Sequence, residues 1–406
     1  MREALSPASL DPATRMPANI GQEDTRLIRS GLDAGLPAKT VGPSVQKGST
    51  VILPDAASLY ADDQLTYGRQ GLTAQFALRS ALAELEHANG VTLYPSGLAA
   101  LTGALLAVLK AGDEILVTDA IYKPTRRFCD HVLQRFGVTT RYFDPQQSPE
   151  ELLASATEAT RLILMESPGS LSFEMQDMGA VAALARSRGI LTAADNTWGA
   201  GYLYRPLDHG VDISIQALTK YVAGHSDVFM GCASVNDTRL AVALEDGITN
   251  LGWSVAGEEA YQVLRGLRTL PTRLARQGEN SLAIARWLSE RQEVARVFHP
   301  ALPGAPGYDL WKRDFSGTCG LFAFALKSGP ESAVNAFLDE LKLFGLGFSW
   351  GGFESLAISC DPQLKVRKFH TDYGGPLIRL HIGLENLDDL IGDLQRGLEI
   401  YTAKAG

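Results

Sequence analysis

The sequence is poor in cysteine, has no long apolar run and carries no excess of positive charge. Its four cysteines are scattered along 406 residues without paired spacing, which favours free thiols in a reducing compartment. No apolar run reaches the length of a membrane span, and the first twenty residues contain no apolar core of a signal peptide, so we expect a cytoplasmic protein without a membrane partner. A net charge of −9 argues against nucleic acid as a partner. The seven histidines show no metal-ligand spacing, so we expect no catalytic metal.

The apolar residues that are present suffice for more than one ordinary core. The sequence is 45% hydrophobic and 20% charged, which is typical of a globular protein, and 406 residues favour two domains. Residues 1–66 show no sustained periodicity and predict an extended N-terminal arm. We expect one domain over residues 67–266 and a second over residues 267–406, because the sequence pattern changes near Gly266.

Strand-like and helix-like segments alternate through the first of these domains. Helical periodicity occurs at residues 73–86, 98–109, 124–136 and 178–188. Strands are predicted at residues 91–94, 114–118, 139–143, 161–166, 190–195, 211–216 and 229–235. Apolar strands that alternate with helices predict an α/β fold with a mostly parallel sheet covered by helices.

The pattern after Gly266 predicts a smaller C-terminal α/β domain. Residues 271–298 are predicted as one long helix, and residues 387–401 as a final helix with an apolar face. Strands are predicted at residues 320–326 and 377–382.

Two charged residues end apolar strands of the first domain. Lys220 follows the strand at 211–216, where its amine is costly to desolvate unless it is used covalently, as in a Schiff base with a cofactor. The commoner alternative is a lysine whose amine reaches solvent. Asp195 ends another apolar strand, where a buried carboxylate needs a partner. Its alternative is an N-cap for the segment that follows.

Three further features fit a ligand site at the carboxyl ends of the strands. Gly97 and Leu98 open a helix after a strand, so their backbone N–H groups suit a phosphate, although many strand–helix turns contain Ser-Gly. Tyr122 follows a strand and either covers a planar ring or lies in the core. Arg379 lies in an alternating strand of the second domain, which suggests a carboxylate held by two hydrogen bonds.

Together these residues resemble the pyridoxal-phosphate enzymes of the aspartate-aminotransferase fold. Finer motifs resemble the Cys/Met-metabolism family and, within it, the carbon–sulfur β-lyases. The likeness extends from about residue 38 to the C-terminus, with the motifs in order and at similar spacing. The motifs are Tyr67-Gly-Arg69, Tyr94-Pro-Ser-Gly97, Glu166-Ser-Pro-Gly-Ser170, Asp195-Asn-Thr-Trp198, the run from Ser214 through Thr219 and Lys220 to Ser226, His299-Pro-Ala-Leu-Pro-Gly304, Ser349-Trp-Gly-Gly352 and Leu377-Ile-Arg-Leu-His-Ile-Gly-Leu-Glu385.

The resemblance implies that pyridoxal phosphate is the cofactor and that residues 67–266 bind it. Lys220 would hold the cofactor covalently and, once released from it, act as the base at the substrate Cα. Asp195 would pair with the pyridine nitrogen. The backbone N–H groups of Gly97 and Leu98 would bind the phosphate, with the hydroxyl of Thr219 beside them.

The resemblance also implies a catalytic tyrosine, a substrate clamp and a shared site. Tyr122 would stack on the cofactor ring and take part in catalysis. Arg379 would bind the α-carboxylate of a small amino-acid substrate, with help from Ser349 and Trp350. Tyr67 and Arg69 would be phosphate ligands donated by a neighbouring subunit. We therefore expect a homo-oligomer, most simply a tetramer formed from two dimers with shared active sites.

The reaction implied is β-elimination of cystathionine or a related cysteine S-conjugate to a thiol, pyruvate and ammonia, as in transsulfuration and methionine biosynthesis. Ser170 and Ala217 follow the β-lyase pattern rather than that of the γ-family. Phe348, Phe353 and Lys123 depart from the β-lyase pattern at the rim, where the distal end of a substrate would lie.

Two alternatives to β-elimination stay open. One is a sister reaction on the same scaffold: cysteine desulfhydration, γ-elimination or γ-replacement. The other is a non-catalytic regulator that binds pyridoxal phosphate. Retention of Lys220, Asp195, Tyr122 and Arg379 argues against the regulator, because a protein without turnover needs none of them.

Overall fold

In the described part of the N-terminal segment, one α-helix packs on the rest of the chain. The computed structural model describes residues 22–30, 40–61 and 64–405, so residues 1–21, 31–39 and 62–63 of the arm predicted at 1–66 lie outside the described residues. Within it, Glu23–Arg29 forms helix α1. Leu27 is buried in the same apolar cluster as the helix at Thr73–Glu86, and Arg26 donates to Glu84 across 3.0 Å. Residues 23–29 are helical rather than extended because Leu27 has a core to pack against.

Among the described residues, the larger sheet has seven strands: β1 (Gly90–Tyr94), β2 (Glu114–Thr118), β3 (Thr139–Phe143), β4 (Thr160–Glu166), β5 (Leu191–Asp195), β6 (Ile213–Gln216) and β7 (Gly231–Val235). Their order in the sheet is β1-β7-β6-β5-β4-β2-β3. Only β7 runs antiparallel to its neighbours; the other pairings are parallel. The fold class predicted from the sequence is therefore confirmed.

Seven helices belong to this part of the chain. Four of them were predicted, and three of these four lie within one residue of the predicted bounds. The helix predicted at 124–136 ends at His131 and is followed by a 3-10 turn, Leu133–Phe136. The helices are α2 (Thr73–Glu86), α3 (Gly97–Val108), α4 (Lys123–His131), α5 (Pro149–Ser155), α6 (Met178–Ser187), α7 (Thr238–Leu251) and α8 (Gly257–Leu267).

A second sheet of five strands follows, in the order β10-β11-β12-β9-β8, with only β10 and β11 parallel. Its strands are β8 (Val294–Phe298), β9 (Leu321–Leu326), β10 (Gly345–Leu346), β11 (Leu356–Ser359) and β12 (Leu377–His381). The helices around it are α9 (Leu270–Ser289), α10 (Tyr308–Asp314), α11 (Glu331–Glu340), α12 (Asp361–Leu364) and α13 (Leu387–Ala405). The strands of the two sheets lie on either side of residue 266, although the domain boundaries themselves stay a prediction.

The prediction of one helix over residues 271–298 was wrong at its C-terminal end. Helix α9 ends at Ser289, and Val294–Phe298 pairs with β9 as an edge strand. Val294, Val297 and Phe298 are buried there. Their β-branched and aromatic side chains favour a strand. Periodicity alone does not distinguish helix from strand in so short an apolar segment, and pairing with β9 makes it a strand. In the described part of the chain, no helix is both long and apolar enough to cross a membrane.

A buried arginine holds the turn that follows β6. Arg273, on α9, donates to the carbonyl oxygens of Tyr221 and Gly266 across 2.6 and 2.8 Å, and to that of Val222 across 3.2 Å. Burial lowers the pKa of the Arg273 guanidinium to about 10. Tyr221 and Val222, the two residues after Lys220, thus accept hydrogen bonds from this guanidinium. Helix α9 therefore fixes the position of the turn that carries the lysine.

Replacing Arg273 with methionine should destabilise the fold. Each buried carbonyl left without a donor costs about 1–3 kcal/mol, so the thermal midpoint should fall by several degrees. Arg276→Met is the matched control, since Arg276 lies on the same helix and is exposed. Equal thermal midpoints for the two variants would show that the turn does not depend on Arg273.

Candidate active site

A cavity of about 450 Å³ lies where β4, β5 and the turn after β6 meet the loop before β11. It brings together all the site residues predicted from the sequence except Tyr67 and Arg69. Its wall also contains residues to which the sequence assigned no role. The predicted residues on the wall are Gly97, Leu98, Tyr122, Asp195, Thr219, Lys220, Ser349, Trp350 and Arg379.

The Lys220 amine lies inside this cavity rather than in bulk solvent. Its Nζ donates to the Ser349 hydroxyl across 2.7 Å and lies 5.3 Å from the centre of the Trp350 ring. Burial, and then the positive charge of Arg379, lower the pKa of Lys220 to about 8, against a smaller opposing effect of Asp195. A larger fraction of this amine is thus neutral near pH 8 than of an ordinary lysine, and a neutral amine can act as a nucleophile or base.

Two carboxylic acids meet at the carboxyl ends of neighbouring parallel strands. Glu166 of β4 and Asp195 of β5 are paired in register. Asp195 accepts hydrogen bonds from the Thr197 hydroxyl and N–H at 2.6 and 3.1 Å, and burial raises its pKa. Burial and the nearby Asp195 raise the pKa of Glu166 well above its usual value. The pair therefore disfavours two negative charges unless a cation binds beside it.

Glu166 and Thr197 are site residues that the sequence reasoning missed. Both stood within quoted motifs, but neither was given a role. The available signal for Glu166 was its position at a strand end, the same signal that singled out Asp195. Thr197 gave no such signal, because a threonine after a strand is common in turns.

Tyr122 is held at the entrance to helix α4. Its backbone N–H donates to Glu166 Oε2 across 2.7 Å, which ties the start of α4 to the end of β4. Burial, Asp195 and Glu166 raise the pKa of the Tyr122 phenol, so it is neutral in the absence of a ligand. Its ring is 42% exposed and lines the cavity. The next residue, Lys123, is exposed and lines the same cavity.

The N-terminus of helix α3 faces the cavity. Ser96 caps it by accepting the Ala99 N–H across 3.1 Å. A Cβ at position 97 would lie 2.3 Å from the Ala217 Cβ, so only glycine allows this close approach to the turn before Lys220. The helix therefore presents its free N–H groups and positive dipole end next to that turn. The Thr219 hydroxyl lies there too and exchanges hydrogen bonds with the Met230 backbone at 3.0 and 3.2 Å.

The second sheet supplies the opposite wall. Arg379 lies in the middle of β12, is buried, and donates from Nη2 to the Phe348 carbonyl across 2.9 Å. Burial lowers the pKa of its guanidinium from the usual value. A buried cation that lines a cavity has a strong attraction for a carboxylate ligand.

Tyr67 and Arg69 lie elsewhere in the subunit. They line a separate cavity of about 350 Å³ with residues 46–49 and 254–258. Arg69 donates to the Thr249 carbonyl across 3.0 Å, and the Tyr67 side chain is 47% exposed. Within one chain, therefore, these two residues do not contribute to the site around Lys220.

The residues in the Lys220 cavity fit pyridoxal phosphate. A lysine amine of lowered pKa, a buried carboxylate suited to a protonated ring nitrogen, and a helix N-terminus suited to a phosphate occupy one cavity. Among the described residues, no group of three or more His, Cys, Asp or Glu side chains is arranged to hold a metal ion.

Comparison with known proteins gives the same picture. Residues 24–399 match the family described as "Cys/Met metabolism PLP-dependent enzyme". A putative cystathionine beta-lyase of Rhizobium johnstonii is 46% identical over 94% of this chain and 96% of its own length. Cystathionine beta-lyase MetC of Escherichia coli is 41% identical over 92% of this chain and 97% of its own. The crystal structure of metB from Corynebacterium glutamicum superposes with a TM-score of 0.88 at 29% identity, covering 95% of this chain and 99% of that one.

The resemblance recognised in the sequence is thus confirmed for the family, its fold and its cofactor. The family match covers most of the chain, and the two relatives match over nearly their whole length. The chain belongs to the Cys/Met-metabolism family of pyridoxal-phosphate-dependent enzymes.

Proposed function

We propose that this protein is a carbon–sulfur β-lyase that converts cystathionine, or a related cysteine S-conjugate, and water into homocysteine or the corresponding thiol, pyruvate and ammonia. The observation that carries the proposal is the single cavity shared by Lys220, Asp195 and Arg379. It combines a base, a carboxylate for the cofactor ring and a cation for the substrate α-carboxylate. The relatives named cystathionine beta-lyase support the choice of substrate.

The cofactor site is proposed from the residues on one wall of this cavity. Bound pyridoxal phosphate supplies an electron-withdrawing ring next to the substrate Cα. Burial raises the pKa of Asp195 and so disfavours its charged form. A protonated ring nitrogen facing Asp195 would give that carboxylate a cationic partner. Gly97 and Leu98 would donate their backbone N–H groups to the phosphate, with the Thr219 hydroxyl beside them. The Tyr122 ring, which lines the same cavity, would stack on the cofactor ring.

The substrate site is proposed on the opposite wall. Arg379 holds the α-carboxylate through two hydrogen bonds, with Ser349 and Trp350 beside it. This grip turns the Cα–H bond toward the Lys220 amine, whose lowered pKa suits it to accept the proton. A sulfur on Cβ can then leave directly, whereas a sulfur on Cγ requires a second proton to be taken from Cβ. The distal end of the substrate lies toward Lys123 and Phe348, which also line the cavity.

We also propose that the protein is a homo-oligomer, a tetramer of two dimers in which Tyr67 and Arg69 complete the site of a neighbouring subunit. Their separation from Lys220 in one chain supports this arrangement. So do large apolar side chains of the N-terminal segment that face solvent: Val41, Ile52 and Tyr60 are 86%, 89% and 91% exposed. We place the enzyme in the cytoplasm, since its four cysteines are buried and unpaired.

Product analysis with cystathionine tests the reaction. The purified protein with pyridoxal phosphate should release pyruvate, ammonia and homocysteine, and Lys220→Ala should release none. Lys312→Ala, which removes an exposed lysine outside the cavity, is the control. Release of 2-oxobutyrate and cysteine would instead show γ-elimination, and bound cofactor without any product would favour a regulator.

Arg379→Lys should lose about 2–4 kcal/mol of transition-state stabilisation, measured as a lower kcat/KM. The reason is that lysine offers a point charge in place of two parallel hydrogen bonds. Arg379→Ala should lose more while leaving the absorbance of the bound cofactor unchanged. Steady-state kinetics on both variants checks this. A near-normal kcat/KM for Arg379→Lys would mean that the α-carboxylate is held by another group.

Mixed dimers test the shared site. Arg69→Ala and Lys220→Ala should each be inactive, and subunit exchange between them should restore part of the activity. Each hybrid dimer then has one site with both native residues and one with neither. If activity stays absent after exchange has been verified by differently tagged subunits, Arg69 does not serve a neighbouring subunit.

A further inference from the structure

Strand β12 presents two buried side chains to the same loop. Arg379 and His381 are two residues apart and therefore project from the same face of the strand. Arg379 donates to the Phe348 carbonyl at one end of the loop 348–351. His381 Nε2 accepts the Gly351 N–H across 3.0 Å at the other end. The loop is thus held at both ends by one strand.

The hydrogen bonds of His381 define a single neutral tautomer. Because Nε2 accepts the Gly351 N–H, the ring proton lies on Nδ1, which donates to the Glu354 carbonyl across 3.0 Å. Burial, and then the charges of Arg379 and Lys220, lower the pKa of His381 to about 3. Its ring is also packed against Tyr221, with ring centres 5.8 Å apart. His381 therefore keeps its acceptor nitrogen throughout the physiological pH range.

The loop held by His381 lies directly against Lys220. Gly351 has φ +90°, and a Cβ there would lie 2.7 Å from the Lys220 carbonyl carbon. Ser349, two residues earlier, places its hydroxyl 2.7 Å from the Lys220 Nζ, and the centre of the Trp350 ring lies 5.3 Å from the same amine. A shift of Gly351 would therefore move the Ser349 oxygen relative to the amine.

We propose that His381 is a positioning residue for the reaction: by accepting the Gly351 N–H it fixes the 348–351 loop, and through that loop it places the Ser349 hydroxyl against the Lys220 amine. His381 is not one of the described residues that line the cavity. It therefore acts through its neighbours and does not touch the substrate. Only the activity part of the test rests on the proposed function.

The test compares two replacements of similar size. Glutamine keeps an acceptor oxygen near the position of Nε2, whereas leucine has none. In the holoenzyme, hydrogen exchange of the peptide that contains Gly351 should accelerate in His381→Leu and stay close to wild type in His381→Gln. The kcat for β-elimination should fall about 10- to 100-fold in His381→Leu, since a displacement on the order of 1 Å near reacting groups has an effect of this size. His381→Gln should recover most of it.

A double-mutant cycle separates positioning from general destabilisation. If His381 acts through Ser349, adding His381→Leu to Ser349→Ala should lower kcat little further, because the hydroxyl that it positions is already gone. If His381→Leu only damages the fold, the double variant should show the product of the two separate losses in kcat.

Three outcomes would overturn the proposal: wild-type exchange at Gly351 in His381→Leu, no recovery in His381→Gln, or multiplied losses in the cycle. Should His381→Leu not fold, His381→Asn replaces it, since its shorter acceptor falls short of Gly351. If the wild-type holoenzyme releases no thiol, the proposed function fails, and the exchange measurement still decides the role of His381.

Discussion

The desolvated amine of Lys220 is the constraint on which the rest of the site depends. An ammonium group removed from water is unstable unless neighbouring groups compensate, and here burial and Arg379 both lower its pKa. Two separate parts of the fold hold it in place: helix α9, and the loop 348–351, which contains Ser349. Helix α9 binds the turn after it through Arg273, strand β12 holds the loop that covers it, and Ser349 accepts its hydrogen bond.

The same cavity disfavours the charged forms of its acids. Glu166 and Asp195 end adjacent strands, and burial raises the pKa of both. A cationic ring nitrogen beside Asp195 would relieve this repulsion, while the helix N-terminus at Gly97 attracts an anion. The site is therefore complementary to a ligand that has a protonated ring at one end and a phosphate at the other.

Much of this arrangement could be predicted from the sequence because it depends on local signals. Apolar segments that alternate with helices predicted all seven strands of the large sheet. Charged residues at or just after the ends of two of these strands indicated Asp195 and Lys220. The misassigned segment, Val294–Phe298, is a strand only because β9 is available to pair with it. Glu166 and His381 were quoted in motifs without a role, since their contacts join residues that are distant in sequence.

We propose that Lys220 is the residue around which the site is organised and the one that binds the cofactor covalently. Borohydride reduction of the holoenzyme, followed by digestion and mass spectrometry of the peptides, tests it most directly. Two lysines line the cavity, Lys123 and Lys220, so the result discriminates between real alternatives. The pyridoxyl group should be found on the peptide that contains Lys220. Its presence on Lys123 or on any other lysine would contradict the account.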